Sequence, residues 1–288
     1  MNTMTNRELE RHLFDSIKPV YGEREARAIQ RFLFRALHGL SDAEWLLIRN
    51  DEANSEFEST VKQAIPSLIQ QMPVQYVAGK TWFCNLGFVV KPGVLIPRPE
   101  TEALVTRIAE KFMDTSGLRV LDIGTGSGAI AVSLSVLLNR PEITAFDISD
   151  AALEIASANA EMHNRNVRFY KVDILDKKTW PEGGLYDLIV SNPPYVKESE
   201  KAFMQPNVLK YEPGLALFVD DHDALKFYSA IAEFAGINLK PGGSLWFEIN
   251  EAEGDNIRQL LTEMRFSHVD ILTDLSGEQR FASAIRPD

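Results

Sequence analysis

From Leu118 onward, short apolar runs alternate with amphipathic segments, and this alternation leaves few folds open to the chain. Candidate strands are Arg119–Ile123, Ile143–Asp147, Val167–Val172, Asp187–Ser191, Ser244–Glu248 and His268–Leu272. Candidate helices, with apolar residues at spacings of three and four, include Ala129–Leu138, Ala151–His163, Asp223–Ala235 and Asp255–Met264. Strands separated by helices require crossover connections, so the pattern predicts an α/β domain built on a doubly wound, mostly parallel sheet. Phe281–Ile285 adds a seventh strand, expected at an antiparallel edge. Leu188, Ile189 and Val190 in succession predict a strand buried on both faces.

Open sheets of this kind bind ligands beyond the C-terminal ends of their strands. The first strand runs into Asp122-Ile123-Gly124-Thr125-Gly126-Ser127-Gly128. Glycines there allow a sharp turn and a close approach of ligand to backbone. The G-x-G-x-G spacing is tighter than the dinucleotide pattern, and no Lys-Ser/Thr pair follows to make a phosphate-cradling loop. Alone, the loop would also suit a nucleotide-binding dehydrogenase. Asp147 ends the second strand, where a carboxylate can accept from both hydroxyls of a ribose, and Asp173 after the third can meet an adenine amino group. Either aspartate taken singly is also what a strand-to-turn junction favours. Their order along consecutive strand ends is what points to a nucleoside cofactor.

The fourth strand stops at Asn192-Pro193-Pro194-Tyr195 on the same edge. The prolines have no N–H and a fixed φ, so their carbonyls have no helix or ladder to join. Asn192 adds a side-chain acceptor, and Tyr195 adds an aromatic ring. Adjacent acceptors beside a flat ring suit a planar –NH2 group, an amide or the amine of a base. Read in isolation, the same residues are equally a strand end and a proline turn.

The first seventy or so residues read as helical: Arg7–Ile17, Glu23–Leu37, Asp42–Arg49 and Ser55–Ile69, with Ser41 and Glu44 placed as a capping box. No catalytic constellation occurs among them, and His12 and His38 read as surface or packing residues. Val74–Val94 is rich in β-formers broken by Gly79 and Gly87, which predicts a hairpin between two domains. In Leu95-Ile96-Pro97-Arg98-Pro99-Glu100-Thr101-Glu102, Pro99 can open a helix and hold Arg98 and Glu100 at its mouth.

Composition narrows the function classes. A formal net charge of −11 disfavours a broad phosphate-binding surface and a stable nucleic-acid partner. Cys84 is the single cysteine, so no internal disulfide or thiolate cluster is expected. No apolar run approaches the length of a membrane span, and Met1 to Lys18 lacks an apolar signal region, so a cytoplasmic protein is expected.

The glycine loop with Asp147 and Asp173 resembles an S-adenosylmethionine-dependent methyltransferase. Asn192-Pro193-Pro194-Tyr195 is similar to the loop of enzymes that methylate planar nitrogen. Pro73-Val74-Gln75-Tyr76-Val77-Ala78-Gly79, Leu95 to Glu102 and Tyr211-Glu212-Pro213 resemble the peptide chain release factor glutamine N5-methyltransferases over nearly the whole chain. The resemblance implies a helical substrate-recognition domain at 1–72, a β-hairpin linker at 73–95 and a Rossmann-like methyltransferase domain at 96–288. It implies S-adenosylmethionine as cofactor, held by Asp122, Gly124, Thr125, Gly126, Gly128, Asp147, Asp173, Asn192, Arg98 and Glu100, with no metal. It implies a release factor as protein substrate, methylated on the glutamine of its Gly-Gly-Gln loop. Asn192, Pro193, Pro194 and Tyr195 would then do the catalytic work. Asn192 and the Pro193 carbonyl would each take one amide N–H, and Pro194 and Tyr195 would wall the slot. One departure stands out: after Phe247-Glu248-Ile249, where relatives usually show glycine, the chain has Asn250-Glu251-Ala252-Glu253. That strand end is expected to lie off the site. The alternatives are an RNA or DNA base amino-methyltransferase, and a module that binds the cofactor without turnover.

Overall fold

Thr5 opens the first helix through reciprocal bonds with Glu8: its hydroxyl accepts from the Glu8 N–H, and its own N–H donates to the Glu8 carboxylate. The computed structural model describes residues 4–181 and 183–288. Helix α1 (Asn6–His38) is broken at Gly22, whose φ of 74° is not helical. The two helices expected here therefore abut without a loop. α2 (Asp42–Ile48) begins on the expected Ser41–Glu44 capping box, and α3 (Ser55–Ile69) on Asn54. Leu9, Leu13, Leu33, Val61 and Leu68 bury the apolar faces of α1 and α3 together.

The expected run of β structure at Val74–Val94 is corrected in part. Val74–Ala78 is a short helix, α4, and Gly79 ends it with φ 66°. Left-handed glycine is a common helix stop, and here it outweighs the β-propensity of Val-Gln-Tyr-Val. The hairpin is confined to β1 (Lys80–Phe83) and β2 (Leu86–Val89). The chain divides into two compact units, one running through Thr81 and including Gln205–Tyr211, the other comprising Trp82–Met204 and Glu212–Asp288.

In the second unit α5 (Pro99–Lys111) starts with Pro99 at its first turn. β3 (Arg119–Ile123), α6 (Ala129–Leu137), β4 (Glu142–Asp147), α7 (Asp150–Met162), β5 (Val167–Lys171) and β6 (Tyr186–Ser191) follow. β7 (Val196–Lys197), α8 (Pro206–Tyr211, in the first unit), β8 (Phe218–Val219), α9 (Lys226–Asn238), β9 (Leu239–Glu248), α10 (Gly254–Glu263), β10 (Ser267–Thr273) and β11 (Gln279–Ile285) complete the chain. The seven-stranded sheet has the order β10-β11-β9-β6-β3-β4-β5. β9, β6, β3, β4 and β5 are parallel, and β11 is antiparallel to both neighbours. β11 is thus antiparallel as expected, but it is not an edge strand: β10 holds the edge.

Side chains alternate across the strands, so each strand supplies both faces. Val120, Leu188, Val190 and Trp246 pack with α5 and α6, while Leu121, Ile189, Leu245 and Phe247 pack with α9 and α10. Burying a side chain such as Ile189 contributes about 1.5–3 kcal/mol. The chain leaves β3 toward β4 on one side and returns to β6 on the other. This reversal opens a crevice at the C-terminal ends of β3 and β6. Among the described residues no helix is long and apolar enough to cross a membrane.

Candidate active site

The two strands that border the crevice are tied directly at their ends: the Ser191 hydroxyl of β6 donates to the Ile123 carbonyl of β3 over 2.6 Å. The glycine loop therefore leaves β3 beside the Asn192-Pro193-Pro194-Tyr195 loop that leaves β6. Gly124, Gly126 and Gly128 have φ of 75°, 55° and 80°, conformations that a side chain resists. A Cβ at Gly124 or Gly126 would meet nothing within 4 Å, so both glycines border open space. At Gly128 it would come within 3.0 Å of the Ala156 Cβ, so this glycine admits α7 against the loop.

Asp122 lies under the loop, fully buried. Its Oδ2 accepts from the Thr125 hydroxyl (2.6 Å) and the Ala131 N–H (3.2 Å), while Oδ1 has no partner among the described residues. Burial raises this carboxyl to about 7, against the pull of the Thr125 and Ala131 donors. Asp147, half-buried at the end of β4, accepts from the Gly126 N–H (2.8 Å) through Oδ2 and from the Ser149 N–H (2.9 Å) through Oδ1. Burial raises its carboxyl as well, and the backbone donors oppose the shift. Asp173 follows β5, and its Oδ1 accepts from the Leu175 N–H at 2.9 Å. The three aspartates predicted from the sequence thus stand at or just beyond the ends of β3, β4 and β5.

Arg98 and Glu100 sit at the mouth of α5. The Arg98 guanidinium donates to Glu212 Oε1 (2.5 Å), while Glu212 Oε2 accepts from the Ile96 N–H (3.1 Å). Glu212 is buried and the Glu100 side chain is exposed. Arg98 is therefore held by a protein carboxylate, which makes Glu212 the anchor of the Ile96-Pro97-Arg98 segment.

On the other loop, Asn192 Nδ2 donates to Thr101 Oγ1 over 3.0 Å. Thr101 donates to Glu248 Oε2 over 2.6 Å, and the Tyr195 hydroxyl donates to Glu248 Oε1 over 3.0 Å. Pro193 is buried, and Pro194 and Tyr195 are half-buried. Burial and the adjacent Glu248 push the Tyr195 hydroxyl well above its usual range, so it remains a donor. Glu248, at the end of β9, is itself buried, and burial raises its carboxyl while Thr101 and Tyr195 pull the other way.

Sequence reasoning missed Thr101 and Glu248 as parts of this network. Glu248 carried the same signal that singled out Asp147, a carboxylate ending an apolar strand. The expectation that the strand end after Phe247 lies off the site is corrected. Besides the Tyr195–Glu248 bond, Asn250 Nδ2 donates to the Tyr195 carbonyl at 3.4 Å. Since β9 pairs with β6, their two ends emerge side by side. Asn159 on α7 was also missed. It is buried and donates to the carbonyls of Ser127 (2.8 Å) and Val89 (3.0 Å), which ties the glycine loop to the hairpin.

A doubly wound sheet with a glycine loop and acidic strand ends beside an Asn-Pro-Pro-Tyr loop defines a Rossmann-like, S-adenosylmethionine-dependent methyltransferase. A family model for the methyltransferase small domain matches residues 99–210. A methyltransferase from Pyrococcus furiosus superposes with TM-score 0.52 and 22% identity, over 70% of this chain and 90% of that one. A Thermus thermophilus 16S rRNA N2 G1207 methyltransferase in complex with AdoMet and guanosine superposes with TM-score 0.53 and 19% identity, over 72% of this chain and 49% of that one. These two likenesses concern the fold. In sequence, the chain is 38% identical over 275 residues to a release factor glutamine methyltransferase of Bacteroides thetaiotaomicron, covering 96% of this chain and 98% of that one. The chain belongs to the release factor glutamine methyltransferase family.

The residues present fit the family's cofactor. Asp122 offers a buried carboxylate oxygen without a partner among the described residues, and Gly124 and Gly126 leave side-chain-free space above the loop. Asp147 uses one lone pair of each oxygen on backbone donors and has others for ribose hydroxyls.

Proposed function

We propose that the protein transfers a methyl group from S-adenosylmethionine to the side-chain amide nitrogen of the glutamine in the Gly-Gly-Gln loop of peptide chain release factors. The observation that carries this reading is the placement of Asn192 and Pro193 beside the glycine loop, tied across by Ser191 and Ile123. Asp122, Thr125, the loop glycines, Asp147 and Asp173 would hold the cofactor. When bound, S-adenosylmethionine supplies a methyl group on a positively charged sulfur. Its methyl carbon would accept a bond from the amide nitrogen as the carbon–sulfur bond broke, with the electron pair going to sulfur.

The difficulty lies in the nucleophile, whose lone pair is delocalised into its carbonyl. Asn192 Oδ1 and the Pro193 carbonyl would each accept one amide N–H and turn the lone pair toward the methyl carbon. Both become better partners as positive charge develops on nitrogen, which favours the transition state over the ground state. The proton then passes to water. Pro194 and Tyr195 would flank the planar amide.

One glutamine is chemically like another, so selection of this one requires contacts away from the reacting atom. We assign that role to the helical unit. Arg27, Arg31, Arg35 and Arg49 line a groove there with Glu10, Trp45 and the exposed Leu46; Arg27 pairs with Glu23 and Arg49 with Glu10, so the groove keeps a cationic excess. A cationic, partly apolar groove suits an acidic patch on a folded protein. The reading places the reaction in the cytoplasm, because its substrate works in translation, and a net charge of −11 argues against a stable nucleic-acid partner. Purified release factor and RNA, offered in parallel with methyl-labelled cofactor, test the proposal. Label should appear on the Gly-Gly-Gln glutamine, and label on RNA alone would overturn it.

A further inference from the structure

We propose that Glu248, acting through Thr101, sets which end of the Asn192 amide faces the reacting nitrogen, so that both are positioning residues for methyl transfer. The inference rests on the role given above to Asn192. It begins from hydrogen-bond polarity. An ionised carboxylate only accepts, and a threonine hydroxyl has one proton to give. Glu248 Oε2 lies 2.6 Å from Thr101 Oγ1, so the threonine spends its proton there. The same oxygen, 3.0 Å from the Asn192 amide, is left able only to accept. Asn192 must present its NH2 end to Thr101, which leaves Oδ1, the end the substrate amide needs, on the other side. The reversed amide would set two acceptors against each other.

Glu248 Oε1 also accepts from the Tyr195 hydroxyl at 3.0 Å. One buried carboxylate therefore orients both ends of the Asn192–Tyr195 loop. It is reached through a threonine 147 positions away in the sequence, on the opening turn of α5. Burial raises the Glu248 carboxyl, with Glu100 adding to the rise, while the Thr101 and Tyr195 hydroxyls and Arg280 favour the ionised form. A neutral amide at position 248 would break the polarity. Its NH2 can donate to Thr101, which frees the threonine proton for Asn192 Oδ1 and allows both orientations.

Three near-isosteric variants test this. Thr101→Val removes the acceptor, Thr101→Ser keeps it, and Glu248→Gln removes the polarity. Thr101→Val and Glu248→Gln are expected to lower kcat about 10–100-fold, as a small misplacement of a reacting group does, with KM for release factor and cofactor affinity little changed. Thr101→Ser should stay near wild type. Packing alone would not make a serine, smaller than either, behave better than a valine. A second measurement needs no turnover. In 15N-asparagine-labelled protein, the Asn192 side-chain amide is assigned by its loss in Asn192→Asp. It should exchange with solvent slowly in wild type and Thr101→Ser, and faster in Thr101→Val and Glu248→Gln. Wild-type kcat in Thr101→Val, a loss in Thr101→Ser as large as in Thr101→Val, or equal exchange in all four proteins would overturn the proposal. Should circular dichroism show Thr101→Val misfolded, the Thr101→Ser and Glu248→Gln pair carries the same comparison. If wild-type enzyme leaves release factor unmethylated, the proposed function fails, while the exchange measurement still decides the orientation of Asn192.

Discussion

The N–H of Gly126 donates to Asp147 Oδ2 over 2.8 Å, so the glycine loop and the carboxylate at the end of the neighbouring strand form one unit. The other oxygen of Asp147 holds Ser149 at the entry to α7. Asp147→Ala is expected to weaken S-adenosylmethionine binding by about 1.5–3 kcal/mol, the range for hydrogen bonds to a charged group. Titration calorimetry on the folded variant measures this, and an unchanged affinity would show that the ribose is held elsewhere.

Asp122 makes the protein's stability depend on pH. Burial raises its carboxyl from 3.8 to about 7, with Asp147 adding to the rise and Thr125 and Ala131 opposing it. Between those values the folded state binds more protons than the unfolded state, so stability falls as pH rises. The Tm of wild type is expected to drop more than that of Asp122→Asn between about pH 4 and pH 7. A cationic ligand favours the ionised carboxylate, so cofactor binding should release protons and tighten as pH rises through the same window. Calorimetry in buffers of different ionisation enthalpy reads the proton count, and zero release would separate Asp122 from the ligand's charge.

Asn192→Ala should keep cofactor affinity and lower the single-turnover rate roughly 10²–10³-fold, as loss of one preorganised polar group does. Rapid-quench measurement with saturating release factor checks it. A rate near wild type would exclude Asn192 from orienting the amide.

Asn159→Leu leaves the N–H and carbonyl of Val89 and the carbonyl of Ser127 without their side-chain partner inside the fold. A loss of at least about 1–3 kcal/mol is expected in denaturant unfolding, the cost of stranding buried polar groups. Cofactor affinity should fall with it, because Ser127 belongs to the glycine loop. Unfolding midpoints that coincide with wild type would mean that water replaces the asparagine without penalty.

The parallel strands were legible because Leu188-Ile189-Val190 and its counterparts are apolar over a strand's length and end in Asp, Gly or Asn. Local chemistry sufficed for the glycine loop and the proline loop, since each is contiguous in sequence. At Val74–Ala78 the pattern misled: β-branched and aromatic residues outweighed the stop signal at Gly79, though the structure follows the stop. The position of β11 was not legible, because strand order depends on pairing partners distant in the chain. The same reason hid the Thr101–Glu248 bond. Each residue appeared in a recognisable stretch, but nothing local shows that a helix start and the end of β9 converge on Asn192.

β11, the last strand in the sequence, lies inside the sheet and pairs Phe281 with Glu248. During synthesis the end of β9 therefore waits for residues made some thirty positions later. Such long closures are entropically costly and slow folding. Until then the end of β9 that carries Glu248 is paired on its β6 side only. A nascent chain can have its glycine loop, its aspartates and its proline loop outside the ribosome and still lack a polarised amide-binding slot. Full competence for methyl transfer is then expected only after β11 inserts, because Glu248 gains its second strand neighbour at that step.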